Sequence, residues 1–171
     1  EMDRLWEQGK WSQEENENVL NEHLRTHTNM PDSKRIVLDT NCLLACISSK
    51  SENFRVWKDL QKGRFTLCVS NDILEEYQEI IAQKANATVA ENVVNAIVES
   101  PFVEFIDPQF HLSLISADPD DNKFVDCAFA ANATFIVSDD NHFDVIGHIS
   151  FPQLLVIRLK EFLSVLQRSN W

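Results

Sequence analysis

The chain has 171 residues at 19.7 kDa, of which 44% are hydrophobic and 25% charged. That length argues against two large domains, and that composition argues against disorder and against collagen-like structure, leaving a globular fold with one main core. Fifteen basic residues against 27 acidic ones give a net charge of −12, which opposes a phosphate backbone at long range unless local positive charge or cations intervene.

Residues 1–33 carry eight acidic and three basic residues and little apolar content, so they cannot make a core. They read as a short helical segment and a linker. Ser12 followed by Glu15 fits a reciprocal capping box, Val19, Leu20 and Leu24 recur at helical spacing, and Pro31 disfavours helix in the polar stretch THTNMPDSK. Met30 reads as a candidate original start. No apolar run approaches the roughly 20 residues needed to cross a bilayer, and the first ten residues carry charge where a signal peptide would be apolar, so the chain is expected to be cytoplasmic with no membrane partner. Cys42, Cys46, Cys68 and Cys127 lie in apolar stretches with no C-x-x-C pair, which predicts buried thiols in a reducing compartment.

From Lys34 onward strands and helices alternate. Ile36 to Leu38 reads as a strand buried on both faces, followed by helices near 41–48 and 52–62. Phe65 to Val69 gives a second strand. Ser70 is placed to cap a helix running to about Lys84, with Asp72 favourable to its dipole, and another helix fits 88–99. Phe102 to Ile106 is a third strand, 120–132 a helix rich in Ala and Phe, and Phe135 to Val137 a fourth strand. Leu154 to Ile157 and Leu159 to Gln167 close the series as a strand and a helix. This order predicts an α/β domain over 34–171 with a mainly parallel sheet.

Ligands of open parallel sheets sit beyond the carboxyl ends of the strands. Asp39 follows the first strand there, and Asp139 and Asp140 follow the fourth. On the helix NDILEEYQEII, Glu76 falls roughly 100° from the apolar axis and borders the core, whereas Glu75 and Glu79 point to water. On DPDDNKFVDCAFAA, Asp120 and Asp121 lie at the inner edge and Asp126 nearly opposite, which predicts Asp126 on the surface; Asp118 and Pro119 read as a helix-start turn. Carboxylates from Asp39, Glu76, Asp121 and Asp140 converging on one rim would repel one another unless a cation sits among them. Oxygen ligation without a nearby Cys or His selects a hard ion, Mg²⁺ or Mn²⁺, and such an ion suits hydrolysis of a phosphodiester.

These residues resemble a family. RIVLDTN, VSNDILEEY, DPDDNKF and FIVSDDNHF are similar, in order and over 34–171, to the four acidic motifs of PIN-domain ribonucleases, most closely the toxin component of bacterial type II toxin–antitoxin pairs. The resemblance implies a three-layer α/β/α domain and a Mg²⁺-dependent endoribonuclease acting on RNA, with an antitoxin protein or antitoxin-like segment as partner and a homodimer as an assembly. It carries Asp39, Glu76, Asp121 and Asp140 over as the acidic quartet that binds metal and catalyses, and Asn41 and Ser138 as residues that orient the acids. Asp139 competes with Asp140, and Asp118 and Asp120 with Asp121. Residues 1–29 are similar to an antitoxin carboxyl-terminal tail, with Arg25 as the candidate inhibitory residue.

Lys50, Arg55, Lys58, Lys62 and Arg64 against Glu52 and Asp59 leave residues 50–64 at +3, a candidate groove for RNA or simply a solvated face. His23 and His27 read as surface residues. His111, His142 and His148 fall in loops, and no role is assigned to them. A haloacid dehalogenase-type phosphatase would need an acid where Asn41 stands. A dinucleotide enzyme would need glycines after the first strand, where none occurs. The remaining rival is a PIN-like scaffold that keeps the acids and works by binding a partner.

Overall fold

The computed structural model describes residues 34–168 and 171, so the readings made on residues 1–33, including Arg25, Met30, His23 and His27, lie outside the described residues. Five strands form one sheet in the order β3-β2-β1-β4-β5, and every pairing is parallel: β1 is Arg35–Leu38, β2 Thr66–Val69, β3 Val103–Phe105, β4 Phe135–Val137 and β5 Val156–Ile157. β1 is central, with Ile36 beside Leu67 on one side and Phe135 on the other. Successive strand residues face opposite sides, so the burial of Ile36, Val37 and Leu38 together requires helices over both faces. The result is the predicted three-layer α/β/α arrangement.

The helices are α1 Thr40–Ile47, α2 Phe54–Gln61, α3 Asn71–Lys84, α4 Ala87–Val98, α5 Asn122–Ala130 and α6 Leu159–Gln167. Ser70 caps α3 as the sequence predicts, its hydroxyl accepting from Ile73 N at 3.3 Å, and Asn86 caps α4 through Val89 N at 2.9 Å. Entry to β2 needs a tight turn at Gly63, whose φ of +70° and closeness to the Phe102 ring leave no place for a side chain. All four cysteines are buried and free, and burial pushes their thiols well up, so they pack as apolar groups.

Two expectations change. The helix read over 120–132 begins instead as a 3-10 turn, Pro119–Asp121, and becomes α5 only at Asn122. Asp126 is also not on the surface: it is 5% exposed, because residues 106–118 fold back over α5 and cover the face that the helical pattern left to water. Its carboxylate accepts from Leu112 N at 2.8 Å and meets His111 Nδ1 at 3.2 Å. One turn earlier Asn122 clamps Ile115 in both directions, accepting from its N–H at 2.9 Å and donating to its carbonyl at 2.7 Å. Asp126→Ala should therefore cost about 1–3 kcal/mol in urea unfolding by orphaning the Leu112 amide, while Asp126→Asn, which keeps an acceptor, should cost less. His111 is 83% exposed, so the charge pairing adds little.

Candidate active site at the carboxyl rim

Because all strands run the same way, the residues that follow them share one rim, and an open cleft of about 1470 Å³ lies there. Its lining includes Asp39, Glu76, Asp118, Asp120, Asp121 and Asp140, so the acids predicted to converge do reach one cavity. Asp39 is the deepest at 5% exposure. It stands at the N-cap of α1, yet its side chain makes no capping bond there. Its Oδ2 instead accepts from Ser138 Oγ at 2.9 Å, and its N–H donates to Val137 O at 3.0 Å. Burial pushes the Asp39 carboxyl up to about 6, with the charges of Asp121 and Glu76 pushing the same way against the Ser138 hydroxyl and the Thr40 amide.

Ser138 is fully buried and serves both strand ends, since its Oγ also accepts from Asp140 N at 3.0 Å. The two successive acids then divide. Asp140 lines the cleft and caps the 3-10 helix Asn141–His148 through His142 N at 2.9 Å. Asp139 turns away to accept from Leu159 N at 2.9 Å, at the start of α6.

Glu76 is placed by its neighbour in sequence. Tyr77 is fully buried and donates its hydroxyl to Leu38 O, which pins α3 to the end of β1 and fixes the rotation that brings Glu76 to the cleft. Both Glu76 oxygens are engaged, Oε1 by the Thr40 hydroxyl and Oε2 by Lys123 Nζ. Lys123 also donates to Asp120 Oδ2 at 2.8 Å, and these two bonds raise its affinity for the proton in spite of burial, which acts the other way. Asn41 lines the cleft and is exposed, and the contact to Glu76 comes from Thr40 beside it.

Sequence reasoning missed Thr40, Lys123 and His142. His142 Nδ1 lies 3.2 Å from Asp121 Oδ2 and 3.4 Å from Asp140 Oδ1. It is held there by the next residue, since the fully buried Phe143 ring packs edge-on against Phe124 of α5 with centroids 6.2 Å apart. The expectation of acids without a nearby histidine is thus corrected. The apolar pair Phe124 and Phe143 was the signal available in the sequence, and only tertiary packing aligns it. Asp121 is pushed up by burial and by Asp118 and Asp140, with His142 opposing. Asp118 turns its Oδ1 back to Asp120 N at 3.2 Å.

Asp118, Asp121 and His142 each offer a ligand atom within 4.8 Å of the others. With the buried Asp39 and with Asp140 beside them, this donor set of carboxylate oxygens and one imidazole fits a hard to borderline divalent cation, and the raised affinity of Asp39 and Asp121 for protons is what uncompensated carboxylates show. The basic segment at 50–64 lies elsewhere. Lys62 and Arg64 precede β2, at the amino end of the sheet, and both Arg55 and Arg64 are held on the buried Asp59, at 3.2 and 3.1 Å.

Comparison with solved structures finds the same fold in 25 matching chains, two of them as follows. VapBC2 from Rickettsia felis bound to a DNA fragment from their promoter aligns with a TM-score of 0.52 at 17% identity, covering 72% of this chain and 98% of that one. DNA-bound VapBC from Salmonella typhimurium aligns with a TM-score of 0.52 at 20% identity, covering 73% and 98%. No curated protein matches by sequence. The PIN domain model matches residues 35–142, the stretch running from β1 to His142 that supplies every acid of the cleft, and the chain belongs to the PIN domain family.

Proposed function

We propose that the chain is a Mg²⁺-dependent endoribonuclease, the toxin of a toxin–antitoxin pair. The observation that carries this reading is the buried Asp39 carboxylate sharing one cleft with Asp121 and Asp140. PIN domains are generally nucleases, and the structural likeness to two VapBC assemblies supports the toxin assignment. Asp39, Asp121 and Asp140 would hold the ion, with Asp118 and His142 at its margin and Glu76 facing it from α3. When bound, a divalent ion polarises a phosphate and lowers the pKa of water, the chemistry that phosphodiester hydrolysis needs. The chain's own residues do the positioning. Ser138 locks Asp39 and the Asp140 backbone into one unit, and Thr40 and Lys123 fix Glu76.

Single-stranded RNA incubated with the protein and Mg²⁺ should be cut internally, and EDTA should stop the cutting; cleavage that persists in EDTA contradicts the mechanism. The leading segment belongs to the same proposal. In this proposal residues 1–29 inhibit the nuclease as an antitoxin-like tail, so their deletion should raise the rate of RNA cleavage, and an unchanged rate counts against inhibition.

A further inference from the structure

The acid end of the cleft is electrostatically divided. Asp118, Asp121 and His142 gather on one side, where a cation would be shared by ligand atoms within 4.8 Å of one another. Lys123 is bound to two other acids of the cleft, with its side chain only 15% exposed. Its Nζ donates to Glu76 Oε2 and, at 2.8 Å, to Asp120 Oδ2, while the Thr40 hydroxyl takes the second Glu76 oxygen. Glu76 therefore has both oxygens committed to protein donors before any ion arrives. A divalent ion on Glu76 would have to displace a bonded ammonium and then sit beside its charge, and in a partly buried setting like charges a few ångströms apart oppose each other strongly.

We infer that Lys123 stands in place of a second divalent ion, so that the chain binds one ion, on the side of Asp39, Asp121 and Asp140, and neutralises Glu76 with its own side chain. This rests on the metal site proposed above and adds to it the number of ions and the identity of the second positive group. Lysine suits the part because its charge is compact and its ammonium has three donors. Glu76 and Asp120 take two, leaving the third for a phosphate oxygen of the substrate. Position supports the same assignment. Lys123 lies in the first turn of α5, two residues after Asp121, so the helix start that supplies a candidate ligand also supplies the cation.

Counting Mn²⁺ ions bound to the full chain, by the electron paramagnetic resonance of free Mn²⁺ and by calorimetry, tests the inference without any activity assay. One ion is expected for the wild type and for Lys123→Arg. Lys123→Met should bind two, because Glu76 and Asp120 are released, and the double variant Lys123→Met with Glu76→Gln should return to one. Two ions on the wild type overturn the inference, as does a count that stays at one in Lys123→Met with a native circular dichroism spectrum. Lys123→Gln serves if the methionine variant does not fold. Two ions together with Mg²⁺-dependent RNA cleavage overturn this inference and leave the nuclease reading standing, whereas no bound ion on the wild type overturns both.

Discussion

Asp39→Asn is expected to lower Mg²⁺-dependent RNA cleavage by about 10³-fold, the loss that follows when a metal site worth several kcal/mol of charge stabilisation is dismantled. The asparagine keeps an acceptor for the Ser138 hydroxyl, so the fold should survive and the loss should be chemical. Asp140→Asn is expected to behave similarly. Asp139→Asn is the informative control, because Asp139 faces the start of α6 and not the cleft; it should cost about 1 kcal/mol of stability as a weakened cap and leave cleavage near the wild-type rate. Gel-based cleavage of one RNA by the four proteins checks this. Equal losses at positions 139 and 140 would contradict the division of roles between the two acids.

The second large effect is on stability. Between its ordinary value of 3.8 and about 6, the folded chain holds a proton on Asp39 that the unfolded chain has released. The folded state therefore binds more protons over that window, and its stability must fall as pH rises through it. A displacement of about two pH units corresponds to about 3 kcal/mol. In the metal-free protein the unfolding free energy of the wild type, measured against Asp39→Asn, should drop by that order between pH 4 and 6 and level off above. Millimolar Mg²⁺ should flatten the curve and raise Tm near neutral pH, since the ion takes over the compensation that the proton supplies. A difference that does not depend on pH, or a Tm indifferent to Mg²⁺, would remove the preformed site.

The fold was readable because its strands are short apolar runs with both faces buried, and because caps such as Ser70 are written locally. Phe135–Val137 and Leu159–Gln167 fall where the sequence places them, and other element ends shift by a residue or two. The acids at strand ends were readable for the same reason, since parallel topology sends Asp39 and Asp140 to one rim. What stayed hidden depends on contacts far apart in the chain. Asp126 is covered by residues 106–118, which no helical wheel includes. Lys123 reaches Glu76, 47 positions away, and His142 reaches Asp121 only through the packing of Phe143 on Phe124. The choice between Asp139 and Asp140 likewise turns on α6, which begins 20 positions after Asp139.

The placement of β1 between β2 and β4 has a bearing on how such a chain is made. Its central strand is synthesised before the others of the sheet, yet the hydroxyl that orients Asp39 arrives 99 positions later, on Ser138. A parallel pairing that spans so much chain forms late, after the intervening segments have emerged. A ribosome-bound fragment ending before β4 lacks Ser138, Asp140 and His142, and so has no complete acidic centre. The order of strands thus makes assembly of the acidic rim wait on the fourth strand of the sheet.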